Sequence, residues 1–218
     1  GLLRNVKILS VSQFLAAPAA VQYLSDLGAD VIKVESPEGA FERTWSGAEA
    51  FKNGVSTFFL LSHRNARSLT LNLKDSAGQQ IVRSLVETTD VFVQNFRPGV
   101  IERFGLGYAE LTEIKPDLIY ASVSGFGPDG PNAQLPGQDL LLQAMSGIMS
   151  ITGRDGDFPT PTGSAIVDQH CAALLAMGVT AALFHRERTG EGQQIEATLL
   201  QAALDLQLEP LVYFLNGF

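Results

Sequence analysis

The sequence predicts an α/β fold: an open, mostly parallel β-sheet flanked by helices. Three observations carry this expectation. Short apolar runs of strand length alternate with helix-period segments along most of the chain. The first such segments make a strand–helix–strand unit of about 30 residues, whose crossover should be right-handed. At 218 residues, with 45% hydrophobic and 17% charged residues, the chain can bury a sizeable core and is not a disordered, fibrous or coiled-coil protein.

Val6–Val11 reads as a buried strand. Pro18 opens a helix at its favoured first position; Ala20, Val21, Tyr23, Leu24 and Leu27 give its apolar side, and Gly28 stops it. Asp30–Glu35 is the next strand. Ser36–Ser56 has no period and reads as a long loop, a length that inside a compact domain signals function or disorder. Ser68–Leu73 alternates as a strand does, and Ser76–Glu87 is a helix with Ile81, Val82, Leu85 and Val86 as its stripe. Val91–Gln94 and Leu118–Ser122 are two more strands. A Gly/Pro-rich loop over Gly125–Pro136 leads to a helix over Gln138–Met149. Asp168 heads a long helix, apolar nearly all round, that ends in His185–Arg188, where cations suit the helix dipole. Thr189–Gly192 turns the chain into a strand over Gln194–Thr198 and a last helix over Leu199–Asn216.

Charge narrows the function. The formal net charge is −8, which argues against a nucleic-acid partner. Residues 1–110 hold 11 basic and 11 acidic side chains and residues 111–218 hold 4 and 12, so most cations able to meet a polyanionic ligand lie in the first half. Arg64, Arg67, Lys74, Arg97 and Arg103 stand out there, with solvated surface charge as the alternative reading. Gly1–Gln13 lacks a secretory pattern, and the apolar stretch Ala165–Phe184 is interrupted by Asp168, Gln169 and His170, so it reads as a buried helix and not a membrane span. One cysteine, Cys171, excludes a disulfide framework and fits a reducing, cytoplasmic setting. His63, His170 and His185 lack metal-ligand spacing, and no metal is expected.

Gly125-Phe-Gly127-Pro-Asp-Gly130 matches a dinucleotide fingerprint in letters only, because Pro128 and Pro131 forbid the helix that should follow. Asn95-Phe-Arg-Pro-Gly99 follows a buried strand, where open α/β sheets bind ligands, and Arg97 and Arg103 give it anion-binding character. Asp168 supports two readings. It is a favoured N-cap residue, or a carboxylate kept ionised by the helix dipole and able to act as a covalent nucleophile.

Several separated motifs resemble those of the class III coenzyme A transferases. They are Ser12–Pro18, Leu27–Glu35, Arg64–Lys74, Val93–Gly99, Ser124–Gly127, Ile151–Gly153 and His185–Gln193. The family includes formyl-CoA and carnitine CoA-transferases and the related α-methylacyl-CoA racemases. The resemblance implies a Rossmann-like large domain, a nucleophile at Asp168 that forms an aspartyl-CoA thioester, and a CoA site at Leu71, Lys74, Asn95, Phe96, Arg103 and Phe104, more loosely Arg97 and Leu199. It implies CoA and acyl-CoA as substrates with no tightly bound cofactor, a carboxylic acid as the second substrate, no membrane partner, and an interlocked homodimer. Leu15, Ser36 and Ser124 stand where the formyl-CoA:oxalate enzymes carry Gln and basic residues, which argues against that substrate pair. Family members are about twice this length; with Gly1 at one end and Phe218 at the other, the chain is expected to be the N-terminal large domain, without the small C-terminal domain. Two alternatives remain. A racemase would need a proton-exchanging residue where Gln138 stands in Gly137-Gln138-Asp139, and a non-catalytic CoA-binding fragment would need none.

Overall fold

The computed structural model describes residues 1–218. Strand β1 (Lys7–Val11), helix α1 (Ala16–Asp26) and β2 (Asp30–Glu35) form the expected first unit. A small hairpin follows, β3 (Phe51–Lys52) and β4 (Val55–Ser56), then α2 (Thr57–Ser62) and β5 (Ala66–Thr70). The chain continues through α3 (Ser76–Val86), β6 (Val91–Gln94), α4 (Tyr108–Ile114), β7 (Ile119–Ser124), α5 (Asp139–Ser146), α6 (Ile166–Thr189), β8 (Gln193–Thr198), α7 (Leu199–Asp205) and α8 (Leu208–Leu215).

Six strands make one sheet in the order β5-β2-β1-β6-β7-β8, and every neighbouring pair is parallel. The chain builds outward from β1 to β5 and then returns to start β6 on the other side of β1. The order therefore reverses at β1 and β6, whose carboxyl ends splay apart into a crevice. Alternating strand residues feed two cores. Ile8, Val91, Val93, Ile119 and Ala121 pack with α1, α6 and α7 on one face, and Leu9, Phe92 and Tyr120 pack with Val82, Val86 and Leu111 on the other. Burial of each large side chain here stabilises by about 1.5–3 kcal/mol, which sets the register of every strand. Cys171 is fully buried in the first core.

Four boundaries differ from expectation. Helix α1 begins at Ala16, so Pro18 is its third residue and not its first; both positions spare the missing N–H. The strand expected over Ser68–Leu73 runs over Ala66–Thr70, freeing Leu71–Lys74 to leave the sheet at its carboxyl edge. Helix α5 stops at Ser146 because Gly147 takes the left-handed conformation, φ +94°. The last helix is two helices. Pro210 sits in the first turn of α8, where a proline is tolerated, and the break before it is held by Gln207, whose Nε2 donates to Ser146 O at 2.6 Å. The expected loop Ser36–Ser56 is in part ordered, by a 3₁₀ turn at Phe41–Arg43 and the β3–β4 hairpin. Helix α6 is buried along one side through Val167, Cys171, Leu175 and Val179, but exposes Met177 and Phe184 on the other.

Gly125 and Gly137 touch backbone to backbone: a Cβ on either would overlap the other's Cα. This contact, and not a pyrophosphate, accounts for Gly125. Gly137→Ala is expected to cost about 1–3 kcal/mol of stability by overpacking, read as a lower urea midpoint; an unchanged midpoint would contradict the close approach.

Candidate active site

Two clefts open along the carboxyl edge of the sheet and share Gln13, Phe41 and Phe96 as a common wall. The first, of about 580 Å³, lies over the ends of β1, β2 and β5 and is lined by Leu71, Asn72, Lys74 and Phe104 among others. The second, of about 740 Å³, lies over β1, β6 and β7 and is lined by Leu15, Asn95, Arg97, Val123, Gln138, Asp168 and Leu199. Together they form a trough, one part lined by Lys74 and the other by the buried Asp168 carboxylate, of a size that suits a long ligand.

The turn from β1 into α1 shapes the shared wall. Phe14 holds a left-handed backbone, φ +69°, which costs a bulky residue of order 1–3 kcal/mol. Its ring is packed by Trp45 at 5.1 Å and Phe58 at 5.2 Å, which offsets the strain. Asn95 clips the turn from across the crevice: its Oδ1 accepts from Gln13 N at 2.9 Å and its Nδ2 donates to Gln13 O at 2.7 Å. One Nδ2 hydrogen and one Oδ1 lone pair of Asn95 are thereby used on the fold, and a second of each is left at the cleft.

Asp168 is the third residue of α6 and does not cap it; the N-cap position belongs to Ala165. The capping is done by Asp139, whose Oδ2 accepts the Asp168 backbone N–H at 2.9 Å. Asp139 is held by Gln143, one turn along α5, which donates to its other oxygen; Gln143 Oε1 in turn accepts from Thr162 N at 2.9 Å. The Asp168 side chain is left to the cleft. Burial first, and the nearby Asp139 charge second, push its pKa up to about 7. Burial thus outweighs the helix dipole, and the Asp168 carboxyl keeps its proton to higher pH than an ordinary aspartate.

A buried charge cluster underlies the shared wall. Lys33 on β2 is 4% exposed, and its Nζ donates to Glu42 Oε1 at 2.8 Å and to Ser12 O at 3.2 Å. His63 Nε2 lies 3.0 Å from the same Glu42 oxygen. Burial alone would raise the Glu42 pKa, but His63 and Lys33 outweigh it and hold the carboxyl at about 2. Burial lowers that of Lys33 against the opposing pull of Glu42. Beside them Glu35, buried at the end of β2, takes both arms of the Arg43 guanidinium.

The structure brings Leu71, Lys74, Phe96 and Phe104 to the first cleft, and Asn95, Phe96, Arg97, Leu199 and Asp168 to the second. Arg103 is exposed beside Phe104 and lines neither cleft. Arg64 and Arg67 line neither cleft and pair with Asp26 and Asp30, the latter at the amino edge of the sheet. Sequence reasoning missed Asp139 and Glu42. The four-residue spacing of Asp139 and Gln143 was a visible helical pair, whereas nothing in an aperiodic loop distinguishes Glu42.

The fold and site define an α/β small-molecule-binding protein with a carboxylate in the wall of its switch-point crevice. A family model, CoA-transferase family III, matches residues 3–217. The chain belongs to that family. It is 40% identical over 215 residues to a Mus musculus protein named succinyl-CoA:glutarate CoA-transferase, covering 99% of this chain and 49% of that protein. It is also 40% identical over 212 residues to a succinyl-CoA:mesaconate CoA-transferase of Haloarcula marismortui, covering 94% of this chain and 54% of that one. Among solved structures, a CAIB/BAIF family protein from Brucella suis superposes with a TM-score of 0.93 at 37% identity, over 99% of this chain and 58% of that chain. The chain spans about half the length of the relatives it matches.

Proposed function

We propose that this chain is the CoA-binding and nucleophilic domain of an enzyme that moves coenzyme A between carboxylic acids. The observation that carries the reading is Asp168: a buried carboxylate with no hydrogen-bond donor of its own, in the wall of a trough that runs on to Lys74. In this reading CoA lies along Leu71, Lys74, Phe96 and Phe104, with its thioester toward Asp168. An ionised Asp168 oxygen attacks the thioester carbonyl, giving a mixed anhydride and CoA thiolate. The thiolate attacks the aspartyl carbonyl, forming aspartyl-CoA and releasing the donor as a carboxylate. The acceptor carboxylate then attacks the aspartyl thioester, and the displaced thiolate takes the new acyl group and frees Asp168. Charge balances at each step without proton transfer, and CoA is a substrate with no further cofactor required.

Gln138, in the same cleft, disfavours a racemase, because an amide cannot exchange the α-proton that reaction moves. The reading includes a cytoplasmic setting, supported by a single, buried cysteine, and a homodimer of the complete protein, supported by the exposed apolar side chains Met177, Phe184 and Phe214.

The test is the complete gene product with a panel of acyl-CoAs and isotopically labelled acids. Label entering the CoA thioester pool supports the proposal; solvent deuterium entering the α-carbon without CoA exchange contradicts it. Lys74→Ala is expected to weaken CoA binding by about 3- to 10-fold at low salt and less at high salt, since its exposed charge is screened. An equal loss at both ionic strengths, by calorimetry, would rule out that electrostatic role.

A further inference from the structure

Asp139 does more for Asp168 than cap its helix. Both Asp139 oxygens face N–H donors: Oδ2 meets the Asp168 backbone at 2.9 Å and Oδ1 meets Gln143 Nε2. That is the pattern of a carboxylate, since the hydroxyl of a carboxylic acid would need an acceptor in place of one of these donors. The clamp is buried and fully tied. Asp139 is 8% exposed and Gln143 1%. Gln143 Oε1 accepts from Thr162 N at 2.9 Å and Thr162 Oγ1 at 3.2 Å, and its Nε2 also reaches Ser164 O at 3.3 Å. A negative charge is therefore fixed beside the nucleophile and cannot turn away from it.

The other ionisable groups around Asp168 are engaged or face elsewhere. On α6, His170 is taken by Asp205 of α7 at 2.7 Å, and burial pushes the Cys171 thiol up to about 12, so it stays neutral. Across the cleft stand Glu42, paired with Lys33, and Arg97 on the turn after β6. Tyr120 on β7 lies in the second core, and Glu196 on β8 alternates with Ile195 and Ala197 of the first, so both face away from α6. Tyr23 and Asp26 are in the last turn of α1, with Asp26 held by Arg64.

We infer that Asp139 is a positioning residue whose fixed charge disfavours the free Asp168 carboxylate and so favours the covalent intermediate. This rests on the transferase reading above. In the first half-reaction the Asp168 carboxylate and acyl-CoA become aspartyl-CoA and the donor carboxylate. The charge beside Asp139 leaves with the released acid, and the repulsion is relieved. Protonation of Asp168 removes the same charge as acylation does. One repulsion must then appear twice, in the pH at which Asp168 ionises and in the equilibrium constant for forming aspartyl-CoA, by the same factor.

The test compares the complete protein with the paired variant Asp139→Asn, Gln143→Glu. In that pair the new amide still accepts from Asp168 N and donates to the new carboxylate, which still accepts from Thr162 N; the charge moves one helical turn away. Two quantities are read: the acid limb of kcat/KM against pH, and the fraction of aspartyl-CoA by intact mass with acyl-CoA and its own acid at about pH 8.5. The limb should move down by about one pH unit and the equilibrium constant should fall about tenfold. Asp139→Asn alone, which loses the charge and part of the clamp, should move both in the same direction and serves if the pair does not fold. A limb that stays in place, a limb that moves without the equilibrium constant, or a kcat that falls equally at every pH would overturn the inference and leave Asp139 a helix cap. A complete protein that forms no aspartyl-CoA at all overturns the transferase reading itself, and this is seen before any variant is made.

Discussion

Asp168→Asn is expected to lower CoA transfer by at least about 10⁴-fold and, at the same time, to make the protein more stable above neutral pH. The kinetic effect follows from removing the only group in the cleft proposed to carry the acyl bond. The stability effect follows from its pKa. Asp168 titrates near 7 in the folded protein against an ordinary 3.8, so between these values the folded state holds a proton that the unfolded state has lost. Stability therefore falls as pH rises from about 4 to 7, and ionised Asp168 remains a burden above that. A shift of this size corresponds to about 4 kcal/mol. Asparagine cannot ionise, so the variant should exceed the parent by about 2–4 kcal/mol at pH 8 and match it near pH 4, measured by urea denaturation at each pH. Equal stability at both would mean that Asp168 is solvated. The same titration predicts that transfer in the parent declines about tenfold per unit as pH falls below 7.

Glu42→Gln is the second large effect, on stability. It removes the carboxylate that the buried Lys33 ammonium contacts and leaves nearby only Glu35, already held by Arg43, which costs about 3–5 kcal/mol. The Glu42 carboxyl, held at about 2 against an ordinary 4.5, contributes stability that is complete above 4.5 and lost as pH falls toward 2. Replacing both partners with methionine should recover most of the loss, because no buried charge is then left alone. A loss under about 1 kcal/mol for Glu42→Gln would show that the cluster is hydrated. Its failure would also be felt at the site, since Phe41, adjacent to Glu42, walls both clefts.

How much of this was legible in the sequence depends on which forces act locally. The strands β1, β2, β6 and β7 were readable because parallel strands buried on both faces are short apolar runs. Their order in the sheet is a non-local property that no run of letters states. The break between α7 and α8 was written at Pro210 and can be read from its missing N–H. The end of β5 was not: Leu71–Leu73 alternates like a strand, but past Thr70 there is no neighbouring strand to pair with. At the site, Asp168 could be singled out as an acid heading an apolar helix. Its separation from the capping role depends on Asp139, 29 residues earlier, whose position is set by tertiary packing. Arg97 was visible as a cation after a strand, but which cleft it lines depends on the sheet order. Glu42 was invisible, because its partners Lys33 and His63 lie on two other elements.

The most direct measurement is peptide mass spectrometry of the complete protein, incubated with an acyl-CoA and no acceptor acid, then quenched with hydroxylamine. The account predicts conversion of the Asp168 carboxyl to its hydroxamate, dependent on acyl-CoA and absent in Asp168→Asn. CoA exchange that proceeds with Asp168 unmodified, or a hydroxamate on another carboxyl, would contradict it.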